Sequence, residues 1–109
     1  MFAMSTTKQN ITAIIYDRRG RVLSIGKNSY IKTHPMQARY AEQAGEPHKI
    51  TLHAEIAAIV KCRNLDRAYK ISVFRYNKKG NPLLAKPCPI CMSAIQKTKI
   101  RDIEWTVNN

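Results

Sequence analysis

Apolar residues along the chain fall into short blocks of two different periods, separated by turn-forming residues. Residues 10–16 (NITAIIY) are short and β-branched and predict a strand. The turn Asp17-Arg18-Arg19-Gly20 follows, with Gly20 suited to a positive φ, and residues 21–25 (RVLSI) predict the second strand of a hairpin. From Gly26 to His48 the pattern is irregular, with a short helix expected over 36–44 before Gly45 and Pro47. Residues 52–62 carry the clearest helical signal. Leu52, Ile56, Ile59 and Val60 recur at about 3.6 residues, Ala54, Ala57 and Ala58 allow close packing, and Thr51 stands as the N-cap. Residues 70–76 alternate Ile71 and Val73 against Ser72 and Phe74 as a strand does, and 77–82 read as a turn. Pro87 and Pro89 stand where the first turn of a helix tolerates them, predicting a helix over 88–97, and 102–107 predict a last strand. The order β-β-loop-α-β-α-β predicts an α/β layer with an opening hairpin.

Composition narrows the class. The 109 residues suit one domain spanning 1–109, with residues 1–9 expected to be flexible. No apolar run is long enough for a transmembrane helix, and residues 1–10 lack the apolar stretch of a secretory signal, so cytoplasmic residence is expected. Nineteen Lys and Arg against seven Asp and Glu give a net charge of +12, which favours anionic partners and is silent about fold. The basic residues sit in clusters beside apolar segments, around 18–21, 61–70, 75–79 and 97–101, rather than in a tail. Three cysteines, Cys62, Cys88 and Cys91, are an odd number and read as thiols or metal ligands rather than a disulfide framework.

The chemistry gathers at two helix starts, His53-Ala54-Glu55 and Pro87-Cys88-Pro89-Ile90-Cys91. A Cys-x-x-Cys pair at a helix N-terminus brings two sulfurs to one ion, and the positive end of the helix dipole favours their thiolates. Zn²⁺ takes His nitrogen and Cys sulfur tetrahedrally, so one His and two Cys leave a fourth position for water. A closed structural site would need a fourth side chain. Cys62 and His48 are the candidates, and neither has ligand-like spacing. In the middle of a helix, residues two apart point about 200° away from each other. At a helix end, however, His53 can bind a metal while Glu55 faces a substrate. Taken alone, His-x-Glu is a common surface pairing, and Cys-x-x-Cys could be redox-active or half of a zinc ribbon. In this combination and order they match the zinc deaminase signature.

At these residues the sequence resembles the cytidine deaminase-like superfamily of zinc-dependent hydrolytic deaminases. The resemblance implies a minimal version of that three-layer α/β fold, with a mixed sheet of about four or five strands. It implies one Zn²⁺ per chain held by His53, Cys88 and Cys91, Glu55 as proton shuttle, and hydroxide attack on C4 of cytosine or C6 of adenine with release of ammonia. The backbone around Ala54 and Cys88 would meet the ring edge and the attacking oxygen. Gly26-Lys27-Asn28 is similar to the family's Gly-x-Asn segment, which implies a sugar contact for Asn28; a turn residue is the plainer reading. His34, between Asn28 and His53, is a further candidate for contact with a phosphate or base. Relatives carry a helix before the first strand and further elements after the last. A chain without them leaves a sheet edge or face on which self-association into a homo-oligomer is expected.

Two enzyme readings compete on substrate. The first is a free cytosine nucleoside or nucleotide of the deoxycytidylate kind, with basic side chains on a phosphate. The second is a base within single-stranded DNA or RNA, favoured by the charge and by Tyr30, Tyr40, Phe74, Tyr76 and Trp105 as stacking surfaces, although core packing accounts for several of these as well. A third, non-enzymatic reading is a zinc-stabilised nucleic-acid-binding module, for which Glu55 would have no use. The resemblance favours the free nucleotide, the commoner substrate of small members with this motif, with the nucleic-acid reading close behind.

Overall fold

The computed structural model of the protein describes residues 10–29, 31–47 and 51–108. The expectations for residues 1–9, Tyr30 and His48 fall outside these. Strand β1 (Ile11–Tyr16) leads through the Asp17 turn into β2 (Val22–Lys27). Helix α1 (Pro35–Gln43) and helix α2 (Ala54–Lys61) follow, then a 3₁₀ turn (Leu65–Arg67), β3 (Lys70–Arg75), α3 (Pro89–Gln96) and β4 (Asp102–Trp105). The strands form one mixed sheet in the order β2-β1-β3-β4, antiparallel except for the parallel β3–β4 pair.

Local chemistry explains the hairpin. Asp17 Oδ1 accepts the main-chain N–H groups of Arg19 and Arg21, both at 2.9 Å, and Gly20 closes the turn at φ +84°. These bonds, the Arg21 main-chain one foremost, hold the Asp17 carboxyl below its usual range. Ala13 and Ile15 of β1 and Ile71 and Val73 of β3 are buried as the strand readings expect and lie in register across the two strands. The alternation expected of β3 is broken at Ser72, which is buried as well and donates to Glu104 Oε1 at 2.6 Å. The four apolar residues meet Ile56, Ala58 and Ile59 of α2 together with Ile90, Ala94 and Ile95 of α3 in one core.

Most element ends differ from the sequence reading by a residue or two, β4 stopping at Trp105 and not at Val107, and two of the differences bear on the site. Strand β2 runs through Gly26 to Lys27, because Gly26 pairs with Ala13 and Lys27 with Thr12. Helix α2 starts at Ala54 rather than Leu52, with His53 in extended backbone as its N-cap instead of Thr51. Thr51 bridges to Thr33, and Leu52 pairs its main chain with Lys32 and Ser29. Leu52 still packs on the core, so its apolar character mimicked a helical position while its backbone served a strand-like contact.

Gly26 fixes how closely β2 and α2 approach. A Cβ there would strike Ala58 N and Ala54 O and come within 2.8 Å of Ala58 Cα, all of them backbone atoms that cannot rotate away. Beside it, Ser24 Oγ donates to Ala58 O at 2.7 Å. Gly26→Ala is therefore expected to lose about 3 kcal/mol, at the upper end of overpacking costs, because α2 must lift off the sheet. A denaturant melt measures this, and an unchanged midpoint would show that the contact is slack.

Candidate active site

The N-termini of α2 and α3 open at the same end of the sheet. Cys88 is the N-cap of α3 in extended backbone, Pro89 opens the first turn without needing a hydrogen-bonded N–H, and Cys91 lies within that turn. The turn closes through Met92 N to Cys88 O at 2.8 Å, and that of α2 through Ala57 N to His53 O at 2.9 Å. His53 is extended rather than helical, so the 200° separation expected between helical residues two apart does not apply, and His53 and Glu55 share one site.

His53 Nδ1 lies 3.2 Å from Cys91 Sγ and 3.5 Å from Cys88 Sγ, and the three ligand atoms lie within 4.8 Å of one another. Tetrahedral zinc, with bonds of about 2.0–2.1 Å to nitrogen and 2.3 Å to sulfur, sets nitrogen and sulfur about 3.5 Å apart. The cluster therefore has both the donor set and the spacing for one Zn²⁺. Among the described residues no fourth His, Cys, Asp or Glu joins it. Cys62 caps the opposite end of α2, where burial pushes its thiol pKa up.

The electrostatics follow from the crowding. Cys88 is held down to about 3, first by the hydrogen bond from Cys91 and also by that from His53. Cys91, as donor to Cys88 and buried, holds its proton far more tightly than a free thiol. The two sulfurs thus face each other across a hydrogen bond, at the place where a metal cation would be held. Glu55 is 6% exposed, and burial pushes its carboxyl up against the opposing influence of its own backbone N–H and of His53.

A cavity of about 300 Å³ opens at this cluster, lined among others by Asn28, His53, Ala54, Glu55, Arg75 and Lys86. Of the six sequence candidates other than His34, it gathers Asn28, Ala54 and Glu55 with His53 and Cys88, while Cys91 lies buried behind. Asn28 Oδ1 accepts from Ile11 N at 2.9 Å and the Asn28 main-chain N–H donates to Ile11 O at 3.2 Å, so this residue also finishes the β1–β2 ladder. His34 stands elsewhere. It is the N-cap of α1, its Nδ1 accepting from Met36 N at 3.0 Å, and it is not among the cavity's lining residues.

Three residues of the site escaped the sequence reading. Gln37 on α1 is fully buried and its Oε1 accepts from His53 N at 3.1 Å, tying the metal-ligand backbone to a second helix. Arg75, at the end of β3, donates from Nη1 to Leu84 O at 3.0 Å, while its buried Nε has no hydrogen-bond partner among the described residues. Lys86 reaches over the Trp105 ring at 5.9 Å. Arg75 and Lys86 place positive charge on the wall of the cavity; the basic cluster at 75–79 was a sequence signal for Arg75, and Lys86 had none.

No helix among the described residues is long and apolar enough to cross a membrane. Of the aromatics considered for base stacking, Tyr40 and Trp105 pack against the core, and Tyr76 is exposed. Compared with known proteins, residues 2–107 match the model of the cytidine and deoxycytidylate deaminase zinc-binding region. No curated protein matches the chain.

Proposed function

We propose, because the chain belongs to the cytidine and deoxycytidylate deaminase family, that it hydrolyses the amino group from the cytosine ring of a free nucleotide, deoxycytidylate-like in carrying a phosphate. Family membership and the His53-Cys88-Cys91 cluster make it a zinc-dependent deaminase in general terms. The finer reading rests on one observation, a cavity that joins this cluster and a buried carboxylate to two cationic side chains, Arg75 and Lys86.

His53, Cys88 and Cys91 hold the metal ion, which when bound lowers the pKa of water towards about 7. Glu55 takes a proton from the water that adds to C4 of the ring. It passes that proton to ring N3, then takes the proton of the added hydroxyl and delivers it to the exocyclic nitrogen as the carbon–nitrogen bond breaks, so ammonia leaves and a carbonyl remains. The first N–H groups of α2 and α3 have no partner within their own helices, which supports a role for the Ala54 and Cys88 backbone at the ring edge. Gln37 keeps His53 oriented. Arg75 and Lys86, which line the cavity, bind the phosphate.

A deamination screen by mass shift over cytidine, deoxycytidine, deoxycytidylate, adenosine, single-stranded DNA and single-stranded RNA tests the proposal. Highest kcat/KM is expected on deoxycytidylate. Turnover confined to the nucleic acids would replace this substrate, and zinc binding without any turnover would leave a binding module. Charge-assisted hydrogen bonds contribute about 1.5–3 kcal/mol each. Replacing Arg75 and Lys86 together by alanine is therefore expected to raise KM for deoxycytidylate at least about tenfold, with deoxycytidine unaffected. An equal loss on both substrates would mean that the two side chains support the loop and not a phosphate.

A further inference from the structure

The larger cavity of the molecule, about 660 Å³, is not at the cluster. It lies at the other end of the sheet, between the β1–β2 turn, the segment after α2 and the segment after α3. Its wall carries Arg18, Arg67, Lys99 and Arg101 against a single acid, Asp66. Register fixes the separation. Tyr16, Lys70 and Asp102 align across β1, β3 and β4 at this end, whereas Ile11 and Arg75 align at the catalytic end. The six-residue strand between them spans about 17 Å.

Two further concavities share residues with it, one through Arg18 and Arg67 and the other through Arg18 and Tyr69, and they add Arg19, Arg21 and Lys70. The three concavities thus adjoin through shared residues and make up one basic trough-lined end of the sheet. Most of its charge is uncompensated, for Asp17 pairs with Arg21 and Glu104 with Lys70, but no ion pair to Arg18, Arg19, Arg67, Lys99 or Arg101 occurs among the described residues. Arg18 is laid over the Tyr69 ring at 5.3 Å, which fixes its guanidinium at the rim. Arginine predominates, and its planar fork matches phosphate oxygens two at a time.

We propose that this basic end is a docking site for the phosphate backbone of single-stranded nucleic acid, separate from the catalytic cavity. A trough that strings five unpaired cations over three adjoining concavities suits a chain of phosphates better than one phosphate. The site reads charge and not base, so it does not depend on which substrate the cavity takes.

Binding of a short labelled oligothymidylate to the zinc-loaded full chain, followed by fluorescence anisotropy over a salt series, tests this. Thymine has no exocyclic amine, so the probe is not a deamination substrate, and failure here leaves the proposed reaction standing. With four phosphates contacted, log K should fall against log salt with a slope of about −3. The exposed residues Arg67, Lys99 and Arg101 can be replaced together by alanine without disturbing the core, and the expected result is at least about a tenfold loss of affinity with the slope reduced by about 2. The same loss of charge at Lys27, Lys78 and Lys79 should change affinity by less than about twofold. Melting temperature and zinc content verify that both triple variants are folded. Equal losses from the two triple variants, undiminished binding by the first, or displacement of the probe by inorganic phosphate at equal phosphate concentration would each overturn the docking site.

Discussion

Glu55→Gln should leave one zinc per chain and lower kcat on the best substrate by about 10²- to 10⁴-fold, the range associated with a positioned general acid–base group. The variant preserves shape and removes only the ability to exchange a proton. Glu55 is not one of the three clustered ligand residues, so metal content should not change. The side chain is almost fully buried, and burial works against its charged form, so a neutral amide of the same size should not lower the melting temperature. The measurement pairs metal analysis with ammonia release at saturating substrate. Because the contribution is made to the proton transfers and not to substrate binding, kcat should carry the loss while KM stays within a few-fold. Undiminished kcat would remove Glu55 from the reaction. Loss of zinc along with activity would instead make it part of the metal site.

How much of this was readable from the sequence divides along physical lines. The strands β1 and β3 and the helix α3 were legible because short runs rich in β-branched residues favour strands, and because Pro89 is tolerated in the first turn of a helix. The metal cluster was legible because its chemistry needs particular residue types at helix starts. Gln37 was not, because a glutamine on a helix of mixed character reads as a solvated position, and only the docking of α1 beside the start of α2 turns it towards His53 N. The α2 boundary failed for a related reason: apolar periodicity records burial, and Leu52 is partly buried from an extended backbone. Gly26 gave a signal that was only half used. A glycine next to apolar strand residues marks close approach of another backbone, and here that backbone is α2 itself. His34 shows the opposite error, for a histidine before Pro35 serves the helix cap, a role as local as the sequence context that contains it.

Cys88→Ser and Cys91→Ser should each abolish stoichiometric zinc and, with it, a large share of the folding free energy. Both cysteines sit in the first turn of α3, and Cys91 is fully buried against α2 and the core. The two sulfurs lie close to each other and to a buried carboxylate, where burial opposes negative charge on Cys91 and on Glu55. A divalent cation reverses that balance by neutralising the sulfurs in place and fastening the start of α3 to His53 at the start of α2. Structural zinc sites contribute about 10–16 kcal/mol of apparent binding free energy in small domains. About a third of that already exceeds the roughly 3 kcal/mol expected from Gly26→Ala. Removing the metal from the native chain with a chelator should therefore lower the melting temperature steeply, and stoichiometric zinc should restore it. In the serine variants the midpoint should be low from the start and indifferent to chelator and to zinc. The decisive comparison is Cys62→Ser, which changes the same atom at the far end of α2 and should keep both the metal and the chelator response. If Cys62→Ser behaved like the other two, or if the chelated native chain melted where the zinc-loaded one does, the cluster would not be what joins the two helix starts.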